Sequence, residues 1–206
     1  MSHRLQGHLR RALLAGLMLA GLGGCGGSGN PLDNPAGVTN SGGAAGQSLS
    51  YAYFQRCINP IFLASLQIDL NGTVTANTCS AAGCHNDATG RGGAFRIIPT
   101  AQIVDVDDAA NTPDVIRATD MYKNFYSAQA EVIVNNPEQS LLINKPLLRN
   151  VLHGGGLIFA SDQDPHIKLM EYWITNPMPA GQDEFSAAGA NLFTPADAML
   201  GVCNTN

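Results

Sequence analysis

Apolar side chains recur at helical spacing in four places along the chain, and long polar or glycine-rich stretches separate them. From Ser50 to Leu66 the repeat runs through Tyr51, Phe54, Cys57, Ile58, Ile61, Phe62 and Leu66. Pro60 interrupts it, which predicts a first helix ending near Asn59 and then a short second turn. Asp69 to Thr78 is polar, with Asn71-Gly72 as a turn, and Asn86 to Gly93 is a glycine-rich loop followed by apolar Phe95, Ile97 and Ile98. Val115, Ile116, Met121, Tyr122, Phe125 and Tyr126 predict a helix over Pro113 to Gln129, with Asn111-Thr112 at its start. A short helix is expected over Glu138 to Lys145, after Asn136-Pro137. Val151 to Gly156 is too rich in glycine to be helical. The last strong helix runs from about Asp164 to Asn176, with Ile167, Met170, Trp173 and Ile174 on one face, Asp162 or Asp164 as cap and Pro165 in its first turn. Residues 177–206 contain Pro177, Pro179 and Pro195, so the tail reads as an extended wrap with one short helix near Ala196 to Leu200. The pattern predicts a mainly α fold: a small helical domain with long loops.

The N-terminus stands apart from this pattern. Residues 1–24 carry His3, Arg4, His8, Arg10 and Arg11, then an apolar run from Ala12 to Leu22, too short to cross a bilayer but right for a signal-peptide core. It ends at Leu22-Gly23-Gly24-Cys25, which resembles a bacterial lipobox, implying a diacylated Cys25 at the mature N-terminus; an ordinary secretory leader is the other reading. Several acyl chains hold a protein stably where one does not. Gly26 stands where that family places an aspartate for inner-membrane retention, so the resemblance implies an outer-membrane lipoprotein, facing the periplasm or the cell surface. Residues 25–49, dominated by Gly, Ser, Asn, Ala and Pro, read as a lipid-anchored flexible tether, and residues 50–206 as the folded domain. Past the leader, the 11 Lys and Arg less Arg4, Arg10 and Arg11 leave eight basic residues against 16 acidic ones. That balance argues against nucleic acid or anionic lipid as partners.

Candidate chemistry is concentrated in Cys79-Ser-Ala-Ala-Gly-Cys84-His85. Two thiols followed at once by an imidazole can hold a haem covalently and ligate its iron, as CxxCH does, here with the wider spacing CxxxxCH. A disulfide between Cys79 and Cys84 is the competing use of the pair. Zinc is a third, but this group lacks the second ligand pair of a structural zinc site. The five cysteines then divide without remainder: Cys25 takes lipid, Cys79 and Cys84 take the haem vinyl groups, and Cys57 with Cys203 form a disulfide tying the tail to the first helix.

The surroundings extend the motif. Tyr53 to Phe62 ahead of Cys79, then Pro137-Glu138-Gln139-Ser140-Leu141-Leu142, His153-Gly154-Gly155-Gly156 and Tyr172-Trp173-Ile174 resemble, in this order, a family of bacterial cytochrome c-like domains. The resemblance covers roughly residues 50–176 and departs in the cysteine spacing and in the long stretch between Cys57 and Cys79. It implies a cytochrome c-like helical domain wrapping one covalent haem c, with His85 as proximal iron ligand. The distal ligand of that family lies in a loop before the C-terminal helix, the place of His153, with Met178 second and Met121, Met170 and His166 as further candidates. The implied function is non-enzymatic: one-electron transfer by a mono-haem lipoprotein, at the lower potential of bis-histidine ligation, to a redox partner with a basic docking patch. A haem-free, disulfide-bonded envelope lipoprotein serving as a binding or assembly module is the alternative, and a peroxidase-like enzyme with an open sixth position ranks third.

Overall fold

The structure is a computed structural model, and it describes residues 47–206. The leader, Cys25 and the tether up to residue 46 lie outside the described residues. The packed chain is in place from Gln47 onward: Ser48 and Leu49 are buried, and the Ser48 carbonyl accepts from the Met178 amide at 2.7 Å.

The expected mainly α, cytochrome c-like helical fold is not what the chain adopts. Helix accounts for 32% of the described residues and strand for 11%, in two small antiparallel sheets. The difference begins at β1 (Leu66–Leu70) and β2 (Thr73–Asn77), a hairpin with Leu66 opposite Asn77 and Leu70 opposite Thr73. Asn71 and Gly72 both take positive φ, 54° and 84°, the turn that matches the twist of a two-residue hairpin. Leu66 and Ile68 point inward and Gln67 outward, so the period is two and not 3.6. A second two-stranded sheet pairs β3 (Phe193–Thr194) with β4 (Val202–Cys203) in the tail.

The first helical run passes through Pro60 instead of stopping before it. α1 (Tyr51–Tyr53) leads into a π-helical turn, Phe54–Ile58, and then into α2 (Asn59–Leu63). Proline removes one backbone donor and crowds the carbonyl four residues back. The wider π turn, in which the Asn59 amide reaches the Phe54 carbonyl, makes the room. The Pro113 to Gln129 pattern divides into α3 (Pro113–Arg117) and α4 (Asp120–Gln129), because Thr119 starts a new helix by accepting from the Tyr122 amide at 3.2 Å. A 3₁₀ turn at Pro137–Gln139 precedes α5 (Leu141–Asn144), and α6 (Pro165–Thr175) is capped by Asp164 as its sequence required. In the tail the helix forms earlier than expected, as a 3₁₀ segment at Ala187–Leu192. Asp197 turns its own backbone instead, accepting from the Met199 and Leu200 amides at 2.7 and 2.8 Å. Among the described residues no helix is long and apolar enough to cross a membrane.

The core sits where the first helical run, α4 and α6 meet. Phe54 lies at its centre, with ring centroids 5.4 Å from Phe125 and 5.5 Å from Trp173. Trp173 is fully buried, and its indole N–H donates to the Ser50 carbonyl at 3.0 Å, satisfying the polar tip that burial would otherwise strand. The long loops are held to this core by side-chain amides. Buried Asn124 accepts from the Ile98 amide at 2.7 Å and donates to the Ile98 carbonyl and to Asn59, both at 3.0 Å. Gln55 pairs in the same two-way fashion with the Val104 backbone. Each staple replaces the partners that a strand would have supplied. The tail is tied down by the Cys57–Cys203 disulfide and by Arg56, whose guanidinium donates to the carbonyls of Ala198 and Met199.

Candidate functional site

The six residues from Cys79 through Cys84 are folded back by two successive turns. The Ala81 amide donates to the Thr78 carbonyl and the Cys84 amide to the Ala81 carbonyl, and Gly83 supplies the left-handed backbone, φ +83°. The His85 amide then closes the loop onto the Cys79 carbonyl at 2.9 Å. This folding absorbs the two extra residues of the motif, so Cys79, Cys84 and His85 line the same cavity. Both thiols are unbonded, and the disulfide weighed for them is not formed. Burial, helped by neighbouring Cys84, pushes the Cys79 thiol up to about 12, so it is a neutral group.

The cavity encloses about 500 Å³, within the range of cofactor sites. Its walls come from several segments: Phe62 of α2, Ile68 of the hairpin, Phe95 after the glycine-rich loop, Leu142 of α5, Phe159 ahead of α6 and Met170 of α6. They are apolar and aromatic, suited to a flat hydrophobic ligand.

His85 and His153 face this cavity together. Their rings are nearly parallel, 9° apart, with centroids separated by 6.1 Å. A ring centroid lies roughly 1.1 Å from its Nε2 and a metal–histidine bond is about 2.0–2.1 Å, so two imidazoles flanking one metal ion have centroids about 6.2 Å apart. The Nδ1 atoms are both engaged, His85 on the Phe95 carbonyl at 3.1 Å and His153 on the Gly156 carbonyl at 2.9 Å. That fixes each ring's tautomer and leaves Nε2 as the nitrogen available for a metal, the arrangement that metal-ligating histidines adopt. Burial is the chief cause that lowers the His85 pKa below the usual imidazole value, opposed by the Phe95 carbonyl and aided by the charges of His153, Lys145 and Arg96. A neutral imidazole is the ligating form.

Glycine has a steric role on both sides. A Cβ on Gly92 would lie 2.5 Å from His85 Cε1, so this loop passes flush against the His85 ring. Gly156 has φ +78°, and a Cβ there would lie 2.3 Å from the Asp69 carbonyl oxygen. The Asp69 and Leu157 backbones exchange two hydrogen bonds of 2.9 Å, which dock the His153 loop on the hairpin.

The remaining distal candidates separate by position. Met170 lines the cavity but is also a core residue, 2% exposed. Met178 sits beside Gly189 and Ser48, away from the cavity lining, and Met121 is buried elsewhere in the core. His166 donates its backbone amide and ring Nδ1 to the N-cap Asp164 and stacks on Phe159. Among the described residues no three His, Cys, Asp or Glu side chains converge on a common point, so a bare ion finds two imidazoles and nothing more. A group that brings its own equatorial ligands fits these two. Sequence reasoning missed Gly92, Phe159 and the Lys145–Glu131 ion pair at 3.3 Å on the cavity wall. The apolar alternation in Leu66-Gln67-Ile68 was the signal for the hairpin wall, and nothing local marked the ion pair.

No protein-family model matches the chain, and neither a curated protein nor a solved structure matches it.

Proposed function

We propose that the chain carries one covalent haem c and transfers single electrons in the bacterial envelope. Cys79 and Cys84 would hold the group through thioethers, and His85 and His153 would ligate its iron. The observation that carries this reading is the pair of parallel imidazoles at 6.1 Å, each pinned at Nδ1 by a backbone carbonyl, in an apolar cavity that also holds two unbonded thiols. When bound, haem supplies a one-electron couple. The chain's residues do the rest. Phe62, Phe95 and Phe159 exclude water, the Phe95 and Gly156 carbonyls keep both rings oriented, and the two histidines change little in geometry between oxidation states. With His153 as a second ligand beside His85, the group would serve as a carrier rather than an enzyme.

The lipobox-like Cys25 would anchor the domain to the outer membrane, and the acidic excess would suit a redox partner with a basic docking patch. Absorbance of the exported, purified protein tests the proposal. A sharp c-type α band that survives acid-acetone extraction supports it. A colourless protein sinks it and favours the haem-free envelope module.

A further inference from the structure

The cavity wall is apolar except for a few side chains, and two of them are cations that the proposed ligand set does not use. Arg91 stands in the glycine-rich loop, its amide held by the Cys84 carbonyl at 2.9 Å, with its side chain at the cavity's exposed edge. Lys145 follows α5, half-buried, with Nζ 3.3 Å from Glu131 Oε2. The next residue, Pro146, accepts from the Ile158 and Phe159 amides at 2.9 and 3.2 Å, so the Lys145 backbone is fixed to the chain that leaves the His153 loop. A lysine on an apolar wall, with its position set by a nearly buried carboxylate, is organised to meet an anion there. A haem is an amphipathic ligand: a flat apolar ring with two carboxylate side chains. The walls match the ring, and Arg91 and Lys145 match the carboxylates in sign.

Resting on the haem reading above, we infer that Arg91 and Lys145 are the cationic partners of the cofactor's two carboxylates, with Glu131 positioning Lys145. Three features of the cavity support it: cations reach its lining from two separate segments, each backbone is fixed by hydrogen bonds, and the remaining acid on the wall, Glu131, is neutralised by Lys145.

The test is a cycle between ligand and protein. Full-length chain bearing C79S and C84S, which removes the covalent attachment, is titrated with haem and with haem dimethyl ester, following the Soret band. The free acid binds tighter than the ester by about tenfold or more, the ratio that charge-assisted bonds carry. Adding R91Q and K145Q collapses this preference to about twofold or less, with the ester's own affinity nearly unchanged. An equal preference before and after the substitutions overturns the assignment. Should the cysteine variant take up neither porphyrin, the covalently loaded chain decides. Its haem carboxylate bending bands in resonance Raman spectra shift in R91Q and K145Q while the iron stays low-spin, and unshifted bands overturn the assignment. A colourless exported wild-type chain would be a failure of the haem reading, distinguishable from both.

Discussion

Gly92→Ala places one methyl group against the proximal histidine. The added carbon would lie 2.5 Å from His85 Cε1, 2.6 Å from Nδ1 and 2.9 Å from the Cys84 carbonyl oxygen. Carbon atoms rest at about 3.5–4.0 Å, so ring or loop must move by roughly 1 Å. The loop is the stiffer partner, since the Arg91 and Gly92 amides both donate to the Cys84 carbonyl, at 2.9 and 2.8 Å. The imidazole therefore swings, and its bond to the Phe95 carbonyl is lost. Overpacking of this kind costs about 1–3 kcal/mol, and the hydrogen bond adds about 1 kcal/mol. Urea unfolding should show a loss of about 2–4 kcal/mol, with unchanged m. Gly93→Ala is the control: φ is +83° and nothing lies within 4 Å of its Cβ, so it loses only the left-handed strain, about 1–2 kcal/mol. The discriminating readout is nitrogen NMR of the imidazole. Gly92→Ala changes the His85 tautomer balance and Gly93→Ala leaves it alone. Unchanged His85 resonances and wild-type stability in Gly92→Ala would refute the close approach on which the proximal half of the site is built.

His153→Ala should leave haem attached but turn the iron high-spin; a low-spin spectrum in that variant would assign the distal position to Met170, which also lines the cavity. Cys203→Ser opens a link between residues separated by 146 positions and should cost about 4–5 kcal/mol in urea unfolding, whereas an unchanged midpoint would show that the bond does not form in the native protein. Glu184 is buried and accepts from Tyr122 Oη at 2.8 Å and from the Arg117 guanidinium at 3.0 and 3.1 Å. Glu184→Ala should destabilise by about 2–3 kcal/mol, discounted because a third of the Arg117 side chain meets solvent, and a loss under about 1 kcal/mol would make the triad a surface contact.

Features legible in the sequence were those set by local chemistry. The period of Ile167, Met170, Trp173 and Ile174 with an Asp-Pro start is enough to place α6. The short spacing of Cys79, Cys84 and His85 marked a local cluster, and the fold brings all three onto one cavity with His153. The overall class was misjudged because much of the chain has no repeating backbone pattern and is fastened by individual side chains. Nothing adjacent to Asn124 announces that its amide will serve the Ile98 backbone, and nothing adjacent to Gln55 points to Val104. The π turn was hidden for a related reason: Pro60 forbids the regular hydrogen bond, but only packing on both sides of it decides between stopping and widening. Lys145 was expected only as the end of a short helix, and its ion pair on the cavity wall depends on Glu131, contributed by the segment after α4.

The two hydrogen bonds between Asp69 and Leu157 act as a latch across the cavity. The His85 half belongs to the segment that follows the hairpin, the His153 half to a loop that arrives much later in synthesis, and this short bridge is one of the few backbone links that close one onto the other. A ligand gripping both imidazoles would span the same gap and act as a cross-link parallel to the bridge, so its binding energy would be added to the closed form alone. Protease cleavage between Arg149 and Gly156 should accordingly be fast before cofactor attachment and slow after it.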